Sequence, residues 1–110
     1  MLGRSALLAA TNSGGPPGFG TKYANPAIAL TGAGLAVAFS PAGNAIAVAH
    51  GNSPYITAYP WSSASGFGTK YADPAIAPTG NSYGVAFSPA GDAIAVAHYN
   101  SPYILSLIHI

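Results

Sequence analysis

Two histidines, His50 and His98, each close a run that reads AIAVAH, and 48 positions separate them. A neutral imidazole offers a lone pair to a metal, and a protonated one offers a positive charge to an anion. Repeated on neighbouring elements, the position would line one end of the molecule with such rings. Apart from Asp92, no Asp or Glu stands within several residues of either histidine to orient the ring. The plainer expectation is that each histidine ends the apolar face of its strand and hydrogen-bonds within its own unit. The carboxylates are Asp73 and Asp92, and their counterparts 48 residues earlier are Asn25 and Asn44. General acid and base work on a shared substrate needs two carboxyl groups at a fixed separation. Asn and Asp exchange freely where the side chain caps local backbone groups, so both are expected in turns. Ser40, Ser53, Ser88 and Ser101 recur in turn-like contexts without a base that would activate a nucleophile. The stretch GFGTK lacks both the length and the following helix of a phosphate loop. No catalytic residue, metal or cofactor is expected.

The aromatic residues carry more promise. Tyr55, Tyr59 and Trp61 alternate along one extended run, which predicts a shared face. Tyr23, Tyr71, Tyr83, Tyr99 and Tyr103 add to them. Most are expected as packing wedges, yet Tyr and Trp are also favoured contact residues. Tyr99 stands in a turn where the earlier copy has Gly51, so its side chain should project into solvent. His50, His98, Tyr99 and Trp61 are therefore the candidate binding residues.

The bulk properties narrow the partners. Of 110 residues only 5% are charged, and the net charge is +1, against about 25% charged in an ordinary soluble domain. That leaves no electrostatic footprint for nucleic acid or for an anionic membrane. The chain has no cysteine, which excludes a disulfide framework and thiol chemistry and leaves the compartment open. No run approaches the roughly 18 apolar residues of a transmembrane helix. The opening MLGRSALLAA is short of the apolar core of about 7–15 residues that a signal peptide needs.

What must position these residues is a repeat. Residues 18–56 and 66–104 align without a gap at an offset of 48, with 31 of 39 positions identical. A gapless period of that size means one supersecondary unit used again. Within it, LAVAFS and AIAVAH alternate large apolar residues with Ala or Ser, the period of a pleated strand. Between them SPAGN, and later SPAGD, has the chemistry of a type I turn: Ser first, Pro second, Gly fourth. A third strand is expected over YITAYPW (55–61), with Pro54 at its start. GFGTKYA predicts a short fourth strand at a sheet edge, where Lys22 or Lys70 discourages stray pairing.

Neither face of these strands is polar. One carries large apolar side chains and the other carries Ala, so both must be covered, and stacking large face against small face achieves this. A four-stranded antiparallel unit of 48 residues stacked on copies of itself fits a β-propeller blade better than a solenoid coil. The expected fold is all-β: about two four-stranded antiparallel blades, a fragment of a larger propeller.

At this point YGVAFSPAGDAIAVAH resembles the first two strands of a WD-repeat or YVTN-type propeller blade, and PYITAYPW stands where the third strand would follow. The resemblance spans about residues 18–104. It departs from the WD pattern where YPW replaces the Trp-Asp pair and TG (31–32 and 79–80) replaces Gly-His, so the hydrogen-bonded network of WD blades is not carried over. The repeat is more similar to divergent bacterial or phage propellers with near-identical blades.

The expected organisation is a segment 1–17 that is unassigned or a remnant of a preceding blade, repeats over 18–65 and 66–104, and a non-native tail over 105–110. After the second NSPYI the similarity ends in LSLIHI, where the first copy continues TAYPWS. Those residues can be encoded by a string resembling the mosaic-end adaptor of transposase-based libraries. The other expectation for the tail is a genuine apolar strand. A non-enzymatic scaffold that binds a protein partner through its blade loops is the expected function. The alternative is part of a lactonase-like propeller hydrolase whose site lies on other blades. Two blades alone leave apolar faces uncovered, so self-association is expected.

Overall fold

A computed structural model describes residues 18–108. The expectations for residues 1–17 and for His109 lie outside the described residues. Those described form two antiparallel sheets and no helix. The first sheet has the order β1 (Gly34–Phe39), β2 (Ala45–His50), β3 (Ile56–Ser62) and β4 (Gly66–Phe67). The second has β5 (Ser82–Phe87), β6 (Ala93–His98) and β7 (Ile104–Ile108). Each is a meander in which sequential strands pair, blade-like in layout, but the second has three strands among the described residues where four were expected.

The hairpin turns follow the chemistry of their residues. Gly43 donates its N–H to the Ser40 carbonyl at 2.9 Å with φ of 75°, and Gly91 does the same to Ser88 at φ of 78°. A left-handed φ is costly for a residue with a Cβ, which is why glycine holds the fourth place. The Ser40 hydroxyl accepts from the Ala45 N–H at 3.1 Å and donates to Asn44 Oδ1 at 2.9 Å. Ser88 and Asp92 repeat that bond at 2.9 Å. Asp73 likewise accepts from Lys70 Nζ at 2.6 Å, where Asn25 accepts from Lys22 at 2.8 Å. Both carboxylates thus occupy local turn bonds that an amide fills in the first repeat.

The third strand differs from expectation at its start. It opens at Ile56, one residue after Tyr55, whose φ is 69°. Pro54 falls in the connection, which Tyr55 closes by donating to the Asn52 carbonyl at 2.8 Å. Pro60 sits inside β3, opposite Ala45. The fourth strand is only Gly66 and Phe67, and it pairs with Ser62 and Trp61. Residues 104–108, which include four of the tail residues, form β7 and pair with β6 from Ala97↔Ile104 to Ala93↔Ile108.

Register sorts the side chains. Phe39 lies opposite Ile46 and Ile46 opposite Tyr59, while Ala38 lies opposite Ala47 and Ala47 opposite Ala58. The first sheet therefore has a large face of Leu35, Val37, Phe39, Ile46, Val48, Thr57 and Tyr59, and a small face dominated by Ala. The second repeats this, with Val85, Phe87, Ile94 and Val96 on the large side. The core forms where the small face of the first sheet meets the large face of the second. Ala47, Ala58 and Ile56 pack there against Ile94, Val96, Val85, Phe87 and Leu107. Alanine's short side chain lets the sheets approach closely and interdigitate with the branched residues opposite.

Candidate functional site

The candidates fall into three environments. His50 is fully buried. Its Nδ1 lies 3.0 Å from the Gly51 carbonyl, and its Nε2 lies 2.8 Å from the Thr57 hydroxyl. A carbonyl can only accept, so Nδ1 carries the proton in the neutral ring and Nε2 accepts from Thr57. Neither nitrogen has a lone pair free for a metal. His98 is buried at the same place in the second sheet, but neither ring nitrogen has a protein partner. For Nε2 the reason is in the sequence: the counterpart of Thr57 is Leu105. Ser82, the partner of His98 in the β5–β6 register, has a buried hydroxyl without a partner as well, and its counterpart is Gly34. The orphaned Nε2 of His98 and the Ser82 hydroxyl thus arise where the second copy departs from the first.

Trp61 belongs to a packed aromatic cluster. Its ring meets those of Tyr23, Phe39 and Phe67 edge to face, with centroids 4.9, 5.3 and 5.2 Å away. Tyr59 meets Phe67 at 5.2 Å and donates its hydroxyl to the Ile28 carbonyl at 2.6 Å. Burial pushes the Tyr59 phenol above its ordinary range, and the positive charge of Lys70 opposes that shift. Tyr55, expected on this face, precedes the strand and does not continue the alternation.

Tyr99 is 69% exposed, as its position in a turn predicts. Its N–H donates to the Asn81 carbonyl at 3.0 Å. Tyr103 is exposed beside it, donating its N–H to Asn100 and accepting from His98 through its carbonyl. Exposed Tyr83 follows Ser82, which pairs with His98. Three tyrosines therefore share one end of the second sheet. The sequence held a signal for this group. Of the eight differences between the repeats, two are the Asn-to-Asp exchanges in turns, and the other six fall at positions 30, 33–36 and 51 and their counterparts. The Gly51 N–H donates to the Ala33 carbonyl, and Leu30 packs near Gly34, so these positions meet at that same end.

The end is braced by a second repeated device. Asn52 Nδ2 donates to the Thr31 carbonyl at 2.8 Å, and Asn100 donates to that of Thr79 at 2.9 Å. This bond ties the TG segment to the β2–β3 connection. Gly32 is pressed against that connection so closely that a Cβ would overlap the Gly51 carbonyl oxygen.

Two clefts lie between the sheets. One, of about 310 Å³, runs among Ile56, Ala58, Tyr71, Pro74, Ile94 and Leu107. The other, of about 300 Å³, lies between the two SPAG turns and is lined by Ser40, Asn44, Tyr71 and Asp92. Among the described residues, no group of three or more His, Cys, Asp or Glu side chains gathers to hold a metal ion. No protein-family model, curated protein or solved structure matches the chain.

Proposed function

We propose that this chain is a pair of WD- or YVTN-like β-propeller blades serving as a non-enzymatic scaffold, and that it engages a protein partner through the tyrosine-bearing end of its second blade. One observation carries the reading: two sheets of near-identical sequence differ mainly at one end, and there the second sheet exposes Tyr83, Tyr99 and Tyr103. A scaffold that repeats its framework and varies one rim separates stability from recognition. Tyrosine suits such a rim, because it offers a large rigid contact with a hydrogen-bonding tip and little rotamer entropy to lose. The stacked small and large faces support the blade assignment.

The test converts the rim to that of the first blade. A displayed peptide library is selected on the wild-type chain, and the selected peptides are measured against the double variant Tyr83→Leu, Tyr99→Gly. Both substitutions install the residue that the first repeat already holds, so the sheet is retained. At least a tenfold loss of affinity is expected. Unchanged affinity for all selected peptides overturns the reading.

A further inference from the structure

Equivalent residues in the two sheets have opposite exposure. Ile56 is 4% exposed and Ile104 is 63% exposed, although each opens the third strand of its sheet on the small face. Ala47 and Ala49 are buried, whereas Ala95 and Ala97 are exposed. The first strands of the large faces show the reverse. Val85 and Phe87 are half-buried against the first sheet, whereas Val37 and Phe39 are 60% and 53% exposed. The chain thus contains one complete small-on-large interface, and its outer surfaces carry matching parts of another: the small face of the second sheet, and β1 of the first sheet's large face, on which Ile46, Thr57 and Tyr59 of β2 and β3 are already buried. Ala93, Ala95, Ala97 and Ile104 offer the small half; Leu35, Val37 and Phe39 offer the large half.

We infer that the occupant of these outer faces is a second copy of the chain, stacked head to tail: the small face of one copy's second sheet receives the exposed β1 side of the next copy's first sheet, led by Val37 and Phe39. The interface inside the chain is the argument. It shows which surface covers an Ala face of this sequence, and the strands that would meet are AIAVAH and VAF, unchanged between the repeats. No charged side chain stands on either half. Such a contact joins different patches of identical copies, so it is heterologous and leaves one free face at each end until the arrangement closes on itself. The inference rests on the sheet faces and not on the tyrosine rim, so either proposal can fail without the other.

The test uses light scattering on the full chain over a dilution series, with two variants. Ala95→Arg blocks the small half and Val37→Glu blocks the large half. Both positions are exposed, so far-UV circular dichroism should stay that of the wild type. The wild type is expected to run above the monomer mass and each variant as a monomer. An equal mixture of the two variants should form a one-to-one dimer, because one intact pair of faces remains between them. A monomeric wild type at every concentration overturns the inference, a result that needs neither variant to fold. Retention of the assembled mass by either variant, or a mixture that stays monomeric, also overturns it.

Discussion

The hydroxyl of Thr57 lies 2.8 Å from Nε2 of His50, deep in the first sheet, and donates to that nitrogen because the Gly51 carbonyl holds the ring proton on Nδ1. The second sheet keeps the imidazole and replaces the hydroxyl with Leu105. A buried polar group without a partner costs about 1–3 kcal/mol, so this one exchange weighs on the second sheet alone. Thr57→Val, which keeps the side-chain volume, is therefore expected to destabilise the chain by about 1–3 kcal/mol. Leu105→Thr is expected to raise the melting temperature by giving His98 a donor. Thermal melts of the two variants check both signs, and ¹⁵N spectra of the His50 ring should show the Nδ1–H tautomer.

Gly32 gives a second test. A methyl group there meets the backbone carbonyl of Gly51, which has no rotamer to escape into, so Gly32→Ala should cost about 1–3 kcal/mol. At Gly80 the nearest obstacle is the flexible amide of Asn100, and Gly80→Ala should cost less. Chemical denaturation of the pair measures the difference. Equal costs would mean that the two TG segments are held alike.

Tyr59 makes stability depend on alkaline pH. Its phenol is raised in the folded chain, chiefly by burial, so the unfolded chain releases this proton first as pH rises. The folded state then holds more protons than the unfolded one. The contribution is intact below the unfolded value near pH 10 and is lost as pH climbs through the higher folded value. Tyr59→Phe should flatten that loss, at the expense of about 0.5–1.5 kcal/mol at neutral pH for the bond to Ile28. Urea titrations at neutral and alkaline pH read both effects.

Asp73 should matter little. Its bond to Lys70 is exposed on the acid side, and Asn25 makes the corresponding bond to Lys22 without a charge. Exposed ion pairs contribute about 0–1 kcal/mol, so Asp73→Asn should leave the melting temperature nearly unchanged at low and high salt. A large loss would assign the carboxylate a role beyond its turn.

Much of this molecule is legible in the sequence because its signals are local. LAVAFS and AIAVAH announce strands by alternation, SPAGN announces the turn by its Pro and Gly, and the bare Ala face announces a close neighbour. The start of the third strand is not legible, because Tyr55 takes a left-handed φ set by the GNSP connection around it. The His50–Thr57 bond is not legible either. It depends on the β2–β3 register, which a seven-residue separation does not reveal until Val48 is known to lie opposite Thr57. The tyrosine end is partly written in the repeat differences, but their convergence needs the Gly51–Ala33 bond that joins the two loops.

The seam between the sheets is built from Ala, Ile and Val, and the ion pair between Lys70 and Asp73 stands outside that cluster. Apolar burial draws its strength near room temperature from the entropy of water, and that strength fades on cooling. A stack joined this way answers to the thermometer and to excluded salts such as sulfate more than to ionic screening. Chilling would loosen it where added sodium chloride in warm buffer would not, so refrigerated preparations would show the molecule at its least cohesive.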